Sequence, residues 1–321
     1  MRVAAIDCGT NSLRLLIADV DAPGALVTIE RKTTIVRLGR DVDRTGRLAA
    51  DALARTLDVC AEYARIIAGH GVERVRFVAT SATRDAANRQ DFLDGVRERI
   101  GVDAEVVSGD EEARLSFVGA TLGLARVAAA RPPYLVVDIG GGSTEFVLGG
   151  NEGNEGDGGS AAAGVVAAAV SVDVGSVRLT ERRLTDDPPS PAQIDAATAD
   201  IDAAIATAAR TVDLAAAGCI VGVAGSVTTI AATVLGLSRY DRSAIHQTAF
   251  GFDAIQATTR RLLDMPRSER AAVPAIAPGR VDVIGAGGLV LERVLAAVPQ
   301  LDSLIVSETD ILDGIAVALA G

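Results

Sequence analysis

The sequence has little of several residue types on which metal and redox sites depend. It contains no tryptophan, two histidines (His70 and His246), three cysteines and one lysine, Lys32. Two histidines are too few for a multi-histidine zinc or copper site. The cysteines lie far apart without a Cys-x-x-Cys pair, which excludes a cysteine zinc ribbon and predicts a reducing, cytoplasmic setting without disulfides. No glycine-rich loop ends in Gly-Lys-Ser/Thr, so the sequence contains no P-loop.

Length and charge narrow the class of protein. A chain of 321 residues that is 49% hydrophobic and 23% charged is globular and long enough for two domains. Its 31 basic and 42 acidic residues give a net charge of 31 − 42 = −11, which argues against nucleic acid or an anionic membrane as a partner. The uncharged stretch 214–238 is long enough to cross a bilayer, but Gly225, Ser226 and Thr228 at its centre favour a strand, a turn and a helix. The sequence opens on a strand-like run rather than a secretory leader.

A weak internal repeat relates the two halves of the chain. Residues 3–18 read VAAIDCGTNSLRLLIA, and residues 134–149 read YLVVDIGGGSTEFVLG. At a constant offset of 131, three positions recur, namely Asp7 and Asp138, Gly9 and Gly140, and Ser12 and Ser143. Apolar runs flank both turns, which predicts a β-hairpin in each copy. Two such hairpins predict a duplicated α/β domain with a cleft between the copies.

Hydrophobic periodicity predicts strands and helices along the rest of the chain. Strands are expected at 27–29, 34–38, 75–79, 104–107, 220–223 and 303–307. Helices are expected at 49–68, 91–100, 111–124, 193–214, 228–237, 282–298 and 311–319. Residues 80–85 and 225–226 are predicted as turns, and the glycine-rich residues 151–164 as a mobile hairpin loop without chemistry of its own. Strands that alternate with helices predict an α/β fold with mixed sheets flanked by helices.

The turn of the second hairpin, within DIGGGSTE at 138–145, is a candidate phosphate site. Consecutive glycines let backbone N–H groups converge on an anion, and the hydroxyls that follow add donors. The predicted phosphate-binding residues are Gly140, Gly141, Gly142, Ser143 and Thr144. Asp138 and Glu145 cannot hold a phosphate themselves, but they suit a Mg²⁺ ion between protein and phosphate. The alternative is a glycine-rich hairpin with a polar tip.

The turn of the first hairpin offers a second set of donors. An amide and three polar side chains there are able to bind another phosphate, or the same one from the opposite side. The residues concerned are Gly9, Thr10, Asn11 and Ser12. The alternative is an N-terminal hairpin with a polar turn, and the pairing with the second turn favours phosphate binding.

An acidic cluster and one arginine complete the set of candidates. In the segment SGDEEAR at 108–114, Ser108 or Asp110 is able to cap a helix, and acids in its first turn are stabilised by the helix dipole. A carboxylate there is also able to deprotonate a water beside a phosphate, and it is the natural general base where histidines are so few. Arg84 follows a predicted buried strand, where it either forks onto a phosphate or serves as a capping or surface arginine.

Together these segments resemble the exopolyphosphatase and guanosine pentaphosphate phosphohydrolase family, part of the actin-like, sugar kinase and Hsp70-like ATPase fold group. The resemblance spans nearly the whole chain. It rests on IDCGTNSLRLLIAD at the start, RLGRDVDRTGRL at 37–48, VATSATRDAANR at 78–89, SGDEEARLSFVG at 108–119, DIGGGSTE at 138–145 and RVDVIGAGGLVLERVL at 280–295. It implies two actin-like (ribonuclease H-like) domains, one formed by residues 1–110 with about 307–321 and the other by residues 111–306.

The resemblance also implies an activity and roles for individual residues. The family releases orthophosphate from the end of inorganic polyphosphate with Mg²⁺, and some members remove the 5′ γ-phosphate of guanosine pentaphosphate. Glu112 corresponds to the catalytic base, Arg84 to an anion contact, and the two turns to the sites of the terminal phosphates. Asp138 and Glu145, with Asp7, are the implied ligands of Mg²⁺ or of the water. A homodimer, common in the family, is a further expectation.

We therefore predict an exopolyphosphatase in which Glu112 activates a water. Because the sequence extends no further than the two actin-like domains, short polyphosphate chains are the expected substrates. Guanosine pentaphosphate 5′-phosphohydrolase activity is the alternative within the family. From other classes, a small-molecule kinase would need an acceptor-binding signature that the sequence lacks. A non-catalytic polyphosphate or alarmone sensor is disfavoured, because four acids around one anion would not help it to bind. These acids are Asp7, Glu112, Asp138 and Glu145.

Overall fold

The computed structural model describes residues 1–21, 25–150 and 165–320, and the loop predicted at 151–164 lies outside these ranges. Within them the chain forms two compact units. Unit 1 comprises residues 1–119 and 311–320, and unit 2 comprises residues 120–150 and 165–310. The domain boundary that the family resemblance implies after residue 110 stays a prediction.

Strands and helices alternate along both units. The strands are β1 (Arg2–Cys8), β2 (Ser12–Asp21), β3 (Ala25–Ile35), β4 (Arg74–Ala79), β5 (Ala104–Val106), β6 (Tyr134–Ile139), β7 (Thr144–Gly150), β8 (Val165–Val172), β9 (Cys219–Val223), β10 (Thr248–Gly251) and β11 (Ser303–Val306). The helices are α1 (Val42–Thr45), α2 (Ala50–Ala68), α3 (Ser81–Arg84), α4 (Arg89–Ile100), α5 (Gly109–Ala120), α6 (Ser176–Arg182), α7 (Pro191–Ala208), α8 (Ala224–Val234), α9 (Arg242–Ile245), α10 (Phe252–Asp264), α11 (Arg267–Arg270), α12 (Ile284–Ala296) and α13 (Ile311–Ala318). Among the described residues, no helix combines the length and the apolar character that crossing a membrane requires.

Unit 1 is built on a five-stranded mixed sheet in the order β3-β2-β1-β4-β5. Strands β1, β2 and β3 are antiparallel, whereas β4 and β5 run parallel to β1. Side chains alternate along β1, so Ile6 packs on one face with Tyr63 of α2 and Phe92 of α4. Val3 and Ala5 face the other side, which α13 covers. Helix α13, at the end of the chain, thus belongs to unit 1.

Unit 2 repeats this arrangement and adds one strand. Its six-stranded sheet has the order β10-β11-β9-β6-β7-β8. Strands β6, β7 and β8 are antiparallel, while β9 is parallel to β6 and β11 is parallel to β9, as in β1 to β5 of unit 1. Helices α8, α10 and α12 pack together in one apolar cluster that includes Ile230, Leu262 and Leu289. The predicted duplication and the mixed sheets flanked by helices are confirmed.

Several predicted element ends are wrong. The helix expected at 193–214 ends at Ala208, and the strand expected to reach residue 38 ends at Ile35. The turn expected at 225–226 is instead the first turn of α8, because the chain bends at Ala224, where φ is +69°, directly after β9. The polar turn expected at 80–85 contains the single helical turn α3. Strands β8 and β10 and helices α6 and α10 were not predicted. Alanine-rich runs such as VVAAAVSV in β8 fit a strand and a helix almost equally well.

Candidate active site

The turn between β1 and β2 holds four predicted phosphate-binding residues in a fixed backbone conformation. It is closed by a hydrogen bond of 3.0 Å from the Gly9 N–H to the Ser12 carbonyl. Its carbonyls accept hydrogen bonds from the segment after β3, namely Gly39 N–H to Thr10 O at 2.8 Å, Val36 N–H to Asn11 O at 3.0 Å and Arg37 N–H to Asn11 O at 2.9 Å. Asn11 Oδ1 is a buried acceptor with no hydrogen-bond partner among the described residues. It is able to accept a hydrogen bond from a bound water.

Asp7 and Cys8, at the end of β1, are both buried. Asp7 Oδ2 accepts hydrogen bonds from Nε and Nη2 of Arg14, its direct neighbour on β2, at 2.8 and 2.6 Å. Burial, with smaller contributions from Cys60 and Asp7, raises the pKa of the Cys8 thiol well above its ordinary value. A thiol that stays protonated is a poor nucleophile, so Cys8 belongs to the core of unit 1 and not to the chemistry.

The two adjacent glutamates of α5 have different environments. Ser108 Oγ accepts a hydrogen bond from the Glu111 N–H at 3.2 Å and so caps the helix. The Glu111 side chain is 44% exposed and lies 3.6 Å from Arg76. Glu112 is buried, and its Oε2 accepts a hydrogen bond from Nη1 of Arg84 at 3.1 Å. Burial and a direct hydrogen bond from an arginine therefore distinguish Glu112, the predicted base, from Glu111.

Arg84 is positioned by the backbone as well as by Glu112. Its Nη1 also donates to the Val107 carbonyl at 2.8 Å. Its side chain is 26% exposed, and its Nε and Nη2 have no hydrogen-bond partner in the part of unit 1 that the structure describes. The same guanidinium is thus able to orient the Glu112 carboxylate with one nitrogen and to offer two N–H groups to an anion.

The turn between β6 and β7 has the backbone geometry of the first turn. The Gly140 N–H donates to the Ser143 carbonyl at 3.0 Å, as Gly9 does to Ser12. Ser143 and Thr144 are buried, and the Thr144 hydroxyl donates to the Val174 carbonyl at 2.6 Å. The Thr144 hydroxyl, which was expected to donate a hydrogen bond to a phosphate, therefore donates to a carbonyl of unit 2.

Asp138 and Glu145 lie directly opposite each other on the antiparallel strands β6 and β7. Side chains at opposed positions share one face of a sheet, so two buried carboxylates are brought together here. Ser171, opposite Glu145 on β8, donates its hydroxyl to Glu145 Oε1 at 2.7 Å. Like charges in a buried place repel, and a divalent cation relieves this repulsion.

The aligned pair in unit 1 has the opposite electrostatic character. At the offset of 131, Arg14 aligns with Glu145, so Asp7 faces a cation where Asp138 faces a second acid. The described residues contain no cluster of three or more His, Cys, Asp or Glu that could hold a metal ion. Mg²⁺ does not need one, because it commonly takes one or two carboxylates together with waters and substrate phosphates. The donor set of Asp138 and Glu145 therefore fits Mg²⁺ better than that of Asp7.

Arg14 and Arg178 are not among the site residues that the sequence predicts. Arg14 had a partial signal, because the offset of 131 equates it with Glu145, but its pairing with Asp7 depends on the strand register. Arg178 lies in the seven-residue helix α6, and its Nε donates to the Gly142 carbonyl at 2.7 Å. A contact from a side chain to a backbone carbonyl leaves no pattern in a single sequence.

Comparisons with known proteins agree along nearly the whole chain. The sequence model of the Ppx/GppA phosphatase family matches residues 16–320. The protein named Exopolyphosphatase 2 of Mycobacterium tuberculosis is 45% identical over 331 aligned residues, which cover 100% of this chain and 99% of that protein. A crystal structure of an exopolyphosphatase-like protein is 46% identical with a TM-score of 0.92 and covers 99% of this chain and 98% of its own. The Ppx/GppA family member of Aquifex aeolicus is 30% identical with a TM-score of 0.77, covering 100% and 97%. These structures confirm the predicted two-domain actin-like fold class.

Proposed function

The chain belongs to the Ppx/GppA phosphatase family, and on that premise we propose that it is an exopolyphosphatase that releases terminal orthophosphate from inorganic polyphosphate. The observation that carries the proposal is the environment of Glu112. This residue lies in the first turn of α5, and its buried carboxylate accepts a hydrogen bond from Arg84. Hydrolysis of a phosphoanhydride needs a group that orients the attacking water and takes its proton. The relatives named as exopolyphosphatases support polyphosphate as the substrate.

Glu112 accepts a proton from the water as the water oxygen attacks the terminal phosphorus. The new bond from oxygen to phosphorus forms while the bond to the bridging oxygen breaks, so orthophosphate leaves and the shortened chain keeps the bridging oxygen. Arg84 binds phosphate oxygens through Nε and Nη2. Each turn, residues 9–12 in unit 1 and residues 140–143 in unit 2, offers N–H groups that are able to stabilise negative charge on phosphate oxygens. Thr144 holds the second turn through its bond to Val174.

We assign Mg²⁺ to Asp138 and Glu145. When bound, the ion supplies positive charge to the phosphate oxygens and lowers the cost of their developing charge. Asp7 forms an ion pair with Arg14, and we assign it to the stability of the first hairpin instead. Ser171 fixes the orientation of the Glu145 carboxylate through its hydrogen bond.

The proposal is tested by orthophosphate release in the presence of Mg²⁺ from short polyphosphate, long polyphosphate, guanosine pentaphosphate and ATP, measured side by side. We expect release from polyphosphate. Glu112→Gln keeps the shape of the side chain but cannot take a proton, so kcat should fall by about 10²- to 10⁴-fold while substrate still binds. Glu111→Gln is the matched control, because Glu111 is exposed and its long contact with Arg76 contributes little, and its kcat should stay within about twofold of wild type.

The other outcomes identify the rival functions. Release from guanosine pentaphosphate alone would make the chain an alarmone hydrolase. Phosphate transfer that depends on an added acceptor would make it a kinase. Tight binding of polyphosphate without turnover would make it a sensor. A Glu112→Gln variant as fast as wild type would show that another group is the base.

Two further expectations rest on the family resemblance and on composition. We infer a homodimer and a cytoplasmic location, and the assignments above depend on neither. Sedimentation equilibrium of the purified protein, with and without tripolyphosphate, measures the oligomeric state.

A further inference from the structure

Three successive carbonyls of the glycine turn in unit 2 accept hydrogen bonds from the first turn of α6. The bonds are Ser176 N–H to Gly140 O at 3.0 Å, Val177 N–H to Gly141 O at 2.8 Å, Arg178 N–H to Gly141 O at 3.1 Å and Arg178 Nε to Gly142 O at 2.7 Å. The Ser176 hydroxyl adds a longer bond of 3.3 Å to Gly140 O. No peptide of the turn between residues 140 and 143 is therefore left to rotate freely.

Because the peptide group is planar, the fixed carbonyls also determine the direction in which the N–H groups of the turn point. In a trans peptide the C=O and the N–H of the same unit point in opposite directions. Fixing the carbonyls of residues 140, 141 and 142 toward α6 therefore aims the N–H groups of Gly141, Gly142 and Ser143 away from it. In the described part of the chain these three N–H groups have no backbone acceptor. Neighbouring backbone N–H groups that point the same way are able to bind an anion.

The approach of α6 to the turn depends on one glycine. A Cβ added at Gly175 would lie 2.6 Å from both the carbonyl carbon and the oxygen of Gly141, closer than real Cβ atoms come to backbone. The equivalent anchor in unit 1 consists of the N–H groups of Val36, Arg37 and Gly39. In unit 2 the carbonyl of Gly142 is instead held by a side chain, which substitution is able to remove.

We propose that Arg178 is a positioning residue of the phosphate site: it fixes the peptide between Gly142 and Ser143 so that the Ser143 N–H faces the phosphate. The inference rests on the proposed function for the identity of the anion as a terminal phosphate. Arg178 acts through the turn, so its loss frees one peptide to rotate and removes one donor. Loss of a single preorganised donor of this kind lowers the rate constant by about 10²-fold or more in related sites, and part of that loss is expected here.

The test compares three variants in orthophosphate release from polyphosphate. Arg178→Ala should lower kcat/KM by about 10- to 100-fold. Arg178→Lys keeps a charged donor for the Gly142 carbonyl and should recover part of the loss. Arg183→Ala is the matched control, because Arg183 directly follows α6, pairs with Asp200 at 2.7 Å and makes no described contact with the turn. Its kcat/KM should remain within about twofold of wild type.

A second measurement, by NMR, observes the peptide between Gly142 and Ser143 directly and does not require turnover. Labelling serine with ¹⁵N and glycine carbonyls with ¹³C selects the Gly–Ser peptides, and only four occur, at 142–143, 159–160, 175–176 and 225–226. Titration with Mg²⁺ and tripolyphosphate should shift the Ser143 amide resonance in Glu112→Gln and leave it unshifted in the Arg178→Ala, Glu112→Gln double variant. A merely structural role of Arg178 would lower the melting temperature without abolishing this response in the folded protein.

The two measurements separate failure of the inference from failure of the proposed function. An unchanged Ser143 response and an unchanged kcat/KM in Arg178→Ala would overturn the positioning role even if polyphosphate is hydrolysed. A wild-type enzyme that releases no orthophosphate would overturn the proposed function, and an Arg178-dependent Ser143 response would still support the positioning role. A Ser143 amide that never responds to tripolyphosphate would overturn the inference outright.

Discussion

At the scale of single residues, we propose that Arg84 links the base Glu112 to the bound anion. One nitrogen holds Glu112 and the Val107 carbonyl, and the other two offer N–H groups to a phosphate. Arg84→Ala should therefore lower kcat. It should also weaken tripolyphosphate binding about tenfold in a Glu112→Gln background, which is the order of one hydrogen bond to a charged group. Calorimetric titration of Glu112→Gln with and without Arg84→Ala measures the binding part separately from catalysis.

The control for this change is Arg76→Ala. Arg76 pairs with Glu105 at 2.8 Å and with Glu111 at 3.6 Å, both of which have exposed side chains, so its loss should leave tripolyphosphate affinity unchanged. If tripolyphosphate has the same dissociation constant in Glu112→Gln with and without Arg84→Ala, the role of Arg84 is limited to orienting Glu112.

The residue types of the site were predictable, whereas their pairings were not. The spacing of acids, hydroxyls and glycines pointed to Asp138, Glu145 and the two turns, because phosphate and Mg²⁺ chemistry needs those groups, whereas only the family resemblance singled out Glu112. That Asp7 pairs with Arg14 depends on cross-strand register. That Arg178 holds Gly142 depends on a tertiary contact between a short helix and a turn, which no local pattern encodes.

At the scale of elements, α2 is fastened to the sheet of unit 1 by Tyr63. Its hydroxyl donates to the Leu13 carbonyl at 2.9 Å and lies 3.0 Å from Thr34 Oγ1, so it touches both β2 and β3. Burial raises the pKa of Tyr63 to about 12 from an ordinary value near 10. The hydroxyl therefore ionises more readily in the unfolded chain, and its contribution to stability, full below pH 10, is lost as the pH rises from 10 to 12.

Tyr63→Phe should remove this pH dependence. Below pH 10 the variant should lose about 1 kcal/mol of unfolding free energy, the usual worth of one hydrogen bond. Between pH 10 and 12 the difference from wild type should shrink, since only wild type carries the titrating hydroxyl. Urea unfolding of both proteins at pH 8, 10 and 11 measures the difference, and a constant gap across this range would contradict the prediction.

Long amphipathic elements were predictable, and short or alanine-rich ones were not. The helix at 49–68 was found to within one residue, because its buried positions recur at helical spacing over 19 residues. Strand β8 and helix α6 were missed, although α6 anchors the glycine turn. A seven-residue helix is stabilised mainly by tertiary contacts, so its own sequence carries little signal.

At the scale of the whole molecule, the two similar hairpins of the duplicated fold differ in the charges at their opposed strand positions. Both copies keep the Asp-x-Gly turn and its 3.0 Å closing bond. They differ across the strands, where Arg14 neutralises Asp7 and Glu145 faces Asp138. The opposed pair is therefore an acid and a base in unit 1 and two acids in unit 2, and we propose that the second pair binds Mg²⁺. The repeat was readable from the sequence, and the divergence became interpretable only with the register.

The two turns should also differ in their tolerance of a methyl group. A Cβ at Gly140 would lie 3.0 Å from the Ser143 carbonyl oxygen, whereas at Gly9 the distance to the Ser12 oxygen is 3.7 Å, an ordinary contact. Gly140→Ala must therefore displace the backbone of the turn whose N–H groups we propose to bind the anion, and Gly9→Ala need not. We expect kcat/KM on polyphosphate to fall at least about fivefold further in Gly140→Ala than in Gly9→Ala. Equal losses would mean that backbone freedom, which both glycines share, matters more than the space beside the turn.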